Sequence, residues 1–227
     1  MFSDVQLDAP LLGELEKEYL CRVVDSGFVS TVGPFVQEFE GRCADYLGVE
    51  EAVALQSGTA ALHLALYSQG IGPGDEVIVP ALSFVATANP VRYVGATPVF
   101  ADVSPGSWTI DVSSIESLIT DRTRAIIPVH LYGVPCEMDR LMNIAADYGL
   151  VVIEDATESL GAVSGGLPTG TWGDFGCFSF NGNKTITTGG GGVVVAKESE
   201  KLARIRFLAN QAKSATMDFL HPEIGFN

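Results

Sequence analysis

Residues 151–162 read VVIEDATESLGA, and residues 178–195 read FSFNGNKTITTGGGGVVV. The first segment is an apolar run that delivers Asp155. The second carries Ser179 at the end of another apolar run, and Lys184 follows five residues later in a loop of small residues. Short runs that are apolar throughout, without alternation, are the pattern of strands covered on both faces. Open α/β sheets hold their ligands beyond the carboxyl ends of such strands, which is where Asp155, Ser179 and Lys184 fall.

Outward from these segments the same pattern recurs. Candidate strands are AVALQ (52–56), EVIVP (76–80), TPVFAD (97–102), RAIIPV (124–129), LVVIED (150–155), FGCFSF (175–180) and GGVVVA (191–196). Helical stretches at 58–69, 84–94, 113–119 and 138–148 separate them, with 3.6-residue spacing such as Met138, Leu141, Ala145 and Tyr148. Strands alternating with helices predict an α/β fold: a three-layer α/β/α domain around a mainly parallel seven-stranded sheet. Two helices come first. Leu12, Leu15, Tyr19 and Val23 share a face of one, and Val36, Phe39, Cys43 and Tyr46 share a face of the other. A Gly- and Ser-rich turn, SGFVSTVGP (26–34), joins them. One domain is expected over 1–227, closing with a helix near Glu198–Asn210. The tail QAKSATMDFLHPEIGFN has no capping element and reads as a cut end.

The chain has 227 residues, 28 acidic and 13 basic, for a net charge of −15. That balance argues against nucleic acid or an anionic membrane as a partner, since either needs a basic face. No run reaches the ~18 apolar residues of a membrane span, and the acidic N-terminus lacks a signal-peptide layout. Cys21, Cys43, Cys136 and Cys177 are scattered, with no CxxC pair. They read as buried free thiols of a reducing cytoplasm, and no zinc site is expected. Asn183-Lys184-Thr185 matches a glycosylation acceptor, which carries no weight without a secretory signal.

The chemistry rests on a few residue types. A lysine nucleophile must be desolvated or stand beside another cation; the loop around Lys184 contains no acid, though a plain solvated lysine is the alternative. A carboxylate such as Asp155 can keep a pyridine nitrogen protonated: at ~4 Å and an effective dielectric of ~20 the pair is worth about 4 kcal/mol, roughly three pKa units. Alternatively Asp155 caps the turn Thr157-Glu158-Ser159. Ser57-Gly58-Thr59 starts a helix after a strand, a phosphate cradle or a plain N-cap. It lacks the P-loop pattern, and no GxGxxG follows a strand. Gly189–Gly192 leads into a strand and reads as a tight turn behind the lysine loop. Phe84 either stacks on a flat ring or joins the core, and His130 reads as a satisfied core histidine. Lysine, carboxylate and phosphate donors together are what pyridoxal 5′-phosphate requires of a protein.

With SGFVSTVGPFVQEFE (26–40), LQSGTAALHLAL (55–66), GDEVIVPALSFVATANPVRYVGATPVFADV (74–103), IIPVHLYGVPCEMD (126–139) and GDFGCFSFNGNKTITTGGGG (173–192), the chain resembles the DegT/StrS-type sugar-nucleotide aminotransferases along its whole length. The resemblance implies an aspartate aminotransferase-like large domain and pyridoxal 5′-phosphate as cofactor. Lys184 would form the Schiff base and shuttle the proton, and Asp155 would pair with the pyridinium nitrogen. Gly58, Thr59 and Ser179 would bind the phosphate, and Phe84 would stack on the ring. Glu158 stands where relatives usually have His or Gln. Beside the cofactor's phenolate oxygen it would need to be protonated, so a raised pKa is expected. Glu at this place points to perosamine-synthase-like and legionaminic-pathway-like members. Asn227 matches an asparagine that reaches the phosphate bound in the partner subunit of a homodimer, and the smaller C-terminal domain would be absent. The implied reaction moves an amino group from L-glutamate to a keto carbon, carbon 4, of a nucleotide-linked deoxysugar. Competing readings are a dehydratase of the same fold, which has histidine in place of the lysine, a non-catalytic relative, and a nicotinamide oxidoreductase, whose glycine fingerprint is missing.

Overall fold

A computed structural model describes residues 9–214 and 220–227. Part of the acidic N-terminal stretch (1–8) and part of the tail (215–219) lie outside the described residues. Helices α1 (Glu14–Ser26) and α2 (Pro34–Leu47) come first. The strands β1 (Val53–Leu55), β2 (Glu76–Pro80), β3 (Thr97–Ala101), β4 (Thr123–Ile126), β5 (Val151–Asp155), β6 (Val163–Ser164), β7 (Leu167–Pro168), β8 (Phe175–Ser179) and β9 (Gly192–Ala196) follow. Between and after them run α3 (Gly58–Ser68), α4 (Asn89–Tyr93), α5 (Val112–Ile115), α6 (Met138–Tyr148) and α7 (Ser199–Ala209).

Seven strands form one sheet in the order β1-β9-β8-β5-β4-β2-β3, and β6 and β7 make a separate two-residue hairpin. Pairings among β2, β3, β4, β5 and β8 are parallel, and β9 is antiparallel to both its neighbours. One reversed strand therefore interrupts an otherwise parallel sheet. Both faces are covered, which is why the runs are apolar throughout. Val77 and Val79 of β2, Ile153 of β5 and Val194 of β9 point to a core with Leu62 and Leu66 of α3 and Ile205 and Leu208 of α7. Their neighbours Ile78 and Val152 point the other way, onto Met138 and Leu141 of α6. Phe178, Val193 and Val195 meet α2 through Ala44 and Leu47. Each such large side chain contributes about 1.5–3 kcal/mol by leaving water.

Several expectations change. The stretch 84–94 is helical only from Asn89, and 113–119 is a single α-turn followed by a 3-10 turn. No residue of α1 is buried; Leu12 and Leu15 are exposed. On α2, Phe39 and Cys43 pack against the core as expected, beside the buried Ala44 and Leu47, whereas Tyr46 is exposed. The cysteines are all free, but only Cys136 and Cys177 are buried; Cys21 is exposed on α1, a helix with no buried residue.

Candidate active site

The carboxyl ends of β1, β2, β4, β5 and β8 converge on a cleft of about 230 Å³. Gly58, Thr59, Phe84, Asp155, Glu158, Ser179 and Lys184 all line it. Asn227 does not, and it is exposed at the end of the chain.

Asp155 ends β5 and is buried. Its Oδ2 accepts from Thr87 Oγ1 at 2.7 Å. Its Oδ1 accepts from Thr157 Oγ1 at 2.7 Å and from the Thr157 amide at 3.2 Å. The capping contact and the cleft-facing position thus hold together. A carboxylate has about four acceptor sites, so three donors leave room for one more from the cleft. Beside it in register, Cys177 is inert: burial first, then the charges of Asp155 and Glu154, push its thiol well above the usual range.

Lys184 is held with 15% of its side chain exposed, its Nζ 3.5 Å from Glu158 Oε1. The acid missing from its own loop is thus supplied by the segment after β5. The other oxygen of Glu158 accepts the Tyr132 amide at 3.0 Å. Tyr132 adopts a left-handed φ of 49° to present that amide, a conformation costly for a bulky residue and one that clusters at functional sites.

At the far end of the cleft, Ser57 caps α3 by accepting the Ala60 amide at 3.1 Å. The amides of Gly58 and Thr59 have no hydrogen-bond partner among the described residues. They point out of a helix start, where the dipole favours an anion. Two glycines bring this start into place. A Cβ on Gly58 would lie 2.7 Å from Thr157 Cγ2, and one on Gly192 would lie 2.3 Å from the Ser57 carbonyl carbon. The glycine run is therefore a seat for the start of α3 as well as a turn.

Phe84 is 70% exposed and faces the cleft rather than the core. His130 is fully buried: its Nε2 pairs with Glu154 Oε2 at 2.8 Å and its Nδ1 accepts the Cys136 amide at 3.1 Å. That makes it the Nε2–H tautomer and a satisfied core group, as expected. Glu154, also buried, receives the Gly170, Trp172 and Gly173 amides as well. Thr157 enters the sequence reading as the start of the turn that Asp155 caps, an Asx turn. Sequence reasoning missed Thr87 and the Tyr132 amide, which carry no local signal.

The donor set fits a phosphorylated pyridine aldehyde: two free amides at a helix start, a carboxylate with one open acceptor position, and a shielded lysine. No helix among the described residues is long and apolar enough to cross a membrane.

Comparison with known proteins finds close relatives along the chain. GDP-perosamine synthase of Caulobacter vibrioides is 47% identical over 98% of this chain and 60% of its own length. A protein of Acidithiobacillus ferrooxidans named UDP-N-acetyl-3-dehydro-alpha-D-glucosamine 3-aminotransferase is 45% identical over 89% of this chain and 54% of its own. A Streptococcus pneumoniae protein solved in its PLP form superposes with a TM-score of 0.94 at 30% identity, covering 99% of this chain and 62% of that one. The chain thus spans roughly 54–62% of the length of these relatives. The DegT/DnrJ/EryC1/StrS aminotransferase family matches residues 10–227, and the chain belongs to that family.

Proposed function

We propose that this chain is the coenzyme-binding large domain of a pyridoxal 5′-phosphate-dependent aminotransferase that acts on a nucleotide-linked keto sugar, with L-glutamate as amino donor. The observation that carries the reading is the meeting of Lys184, Asp155 and the open start of α3 in one cleft. The relatives' names, a GDP-sugar synthase and a UDP-sugar aminotransferase, support the substrate class. Carbon 4 is our proposed position. Carbon 3, named in one relative, is the alternative an assay must separate. The dehydratase reading is disfavoured by Lys184, since that branch carries histidine there. In the assembled protein we place a second copy of the chain beside the cleft, with Asn227 reaching the phosphate in the partner subunit, and the setting is cytoplasmic.

When bound, the coenzyme supplies a reactive carbonyl and an electron-accepting ring. The chain's residues do the rest. Lys184 provides the amine and carries the proton. Asp155 keeps the ring nitrogen charged through its open acceptor position. The amides of Gly58 and Thr59 and the hydroxyl of Ser179 hold the phosphate, and Phe84 covers one face of the ring and excludes water. Glu158 holds the Lys184 ammonium in place and stands where the ring's phenolic oxygen would come.

The test is chemical. After incubation with pyridoxal phosphate and borohydride reduction, peptide mass spectrometry should find the adduct on Lys184, and Lys184→Ala should carry none. Labelling of a different lysine, or no labelling, would overturn the assignment. A glutamate-coupled assay across UDP-, GDP- and CMP-linked 3-keto and 4-keto sugars then identifies the acceptor.

A further inference from the structure

Thr87 has no role in the chemistry above, yet it is only 2% exposed. Its Oγ1 lies 2.7 Å from Asp155 Oδ2 and 2.7 Å from Ser83 Oγ. A hydroxyl has one proton, and an ionised carboxylate can only accept. Thr87 must therefore direct its proton to Asp155, and Ser83 must donate to Thr87. The result is a directed chain, Ser83 to Thr87 to Asp155, in which each bond polarises the next. Thr87 also belongs to the turn that displays Phe84, and its amide donates to the Phe84 carbonyl at 3.0 Å. One residue thus links two groups that reach the cleft from different strands, β2 and β5.

We propose that Thr87 is a positioning residue that acts through Asp155, aiming its carboxylate into the cleft, supporting its negative charge and fixing its distance from the Phe84 ring. The proposal rests on the pyridoxal phosphate reading. Thr157 cannot substitute, because it bonds the other carboxylate oxygen. Valine at position 87 keeps the shape and removes the proton, so Oδ2 loses its buried donor. A less well supported carboxylate holds less positive charge on the coenzyme ring. The nitrogen joining the coenzyme to Lys184 then keeps its proton to higher pH.

The test compares wild type, Thr87→Val and Thr87→Ser after incubation with pyridoxal phosphate, measuring coenzyme Kd and the pH midpoint of the bound coenzyme's visible band. Valine should weaken Kd about tenfold, within the range for a hydrogen bond to a charged group, and raise the midpoint by roughly half a pH unit or more. Serine, which restores the hydroxyl, should return both close to wild type. A midpoint unmoved in the valine variant, even with a lowered melting temperature, would reduce Thr87 to a structural residue and overturn the proposal. Should the valine protein not fold, Ser83→Ala decides: it removes the first donor of the chain at a half-exposed position, and a smaller upward shift is expected, with no shift refuting the chain. If wild type itself shows no visible band, the coenzyme reading fails first and this proposal falls with it.

Discussion

Glu158 illustrates how one side chain can answer to two partners. In the cleft it accepts from the Tyr132 amide and lies 3.5 Å from the Lys184 ammonium, both contacts that suit a carboxylate. Beside a phenolic oxygen, as proposed for the loaded protein, the same group would need to donate. Replacing it with glutamine separates the two demands, because an amide both accepts from Tyr132 and donates at any pH. Glu158→Gln is expected to keep the Tyr132 contact while losing the charge that faces Lys184, and so to change the pH–rate profile relative to wild type. Superimposable profiles across the range would remove Glu158 from the chemistry. Asp155 stands out in the sequence because it closes an apolar run, and Lys184 because it follows one in a loop of small residues. Thr87 was unreadable, since its importance lies in an oxygen 68 positions away in the chain.

At the level of elements, the seven strands of the main sheet were legible to within one to three residues at their ends, because burial on both faces leaves an unbroken apolar signature, whereas the short β6–β7 hairpin was not. The helix expected at 84–94 was not. Pro90 has no amide proton, so the helical ladder cannot run through it, and residues 84–89 fold instead as overlapping turns in which the amides of Thr87, Ala88 and Asn89 return to Phe84 and Val85. Those turns put Phe84 in the cleft. The glycine run was read as a turn, and its second task, seating α3, was hidden in a tertiary contact. That task is testable. A Cβ on Gly192 would stand 2.3 Å from the Ser57 carbonyl carbon and oxygen, whereas one on Gly190 would meet nothing within 4 Å. Backbone cannot yield as a side chain can, so Gly192→Ala should cost about 1–3 kcal/mol. That corresponds to a melting temperature lower by roughly 2–12 °C for a chain of this size, together with weaker coenzyme binding as the start of α3 shifts. Gly190→Ala should do neither. Equal melting temperatures for the two variants would show that the contact relaxes freely.

Over the whole molecule, periodicity told which faces are apolar but not what covers them: Leu12, Leu15, Leu20 and Val24 are exposed around α1, a run of apolar surface that a partner can bury. Long-range closure is equally invisible in one dimension. His63 of α3 meets the rings of Tyr67, Tyr93 of α4 and Phe226 near the chain's end, with centroids 6.2, 5.9 and 5.0 Å away. Burial in this ring cluster lowers the histidine's pKa below its ordinary value. The sign follows from linkage: the neutral form is the one folding favours, so its contribution is complete above the unfolded pKa of ~6.5 and is lost as pH falls through the lower folded value. The carboxylates act in a separate window. Hydrogen bonds from Ser113 to Asp111 and from Arg204 to Glu223 lower their pKa values, so their contribution is lost only below the ordinary carboxylate range of ~4. The melting temperature of wild type is therefore expected to begin falling as pH drops from about 7 toward 5, while His63→Phe, which keeps the aromatic contacts, stays level there and falls only with the carboxylates. Parallel curves for the two proteins between those pH values would mean that the aromatic cluster opens to admit water around the imidazolium, and that His63 does not couple acid to the closure of the chain's end over α3.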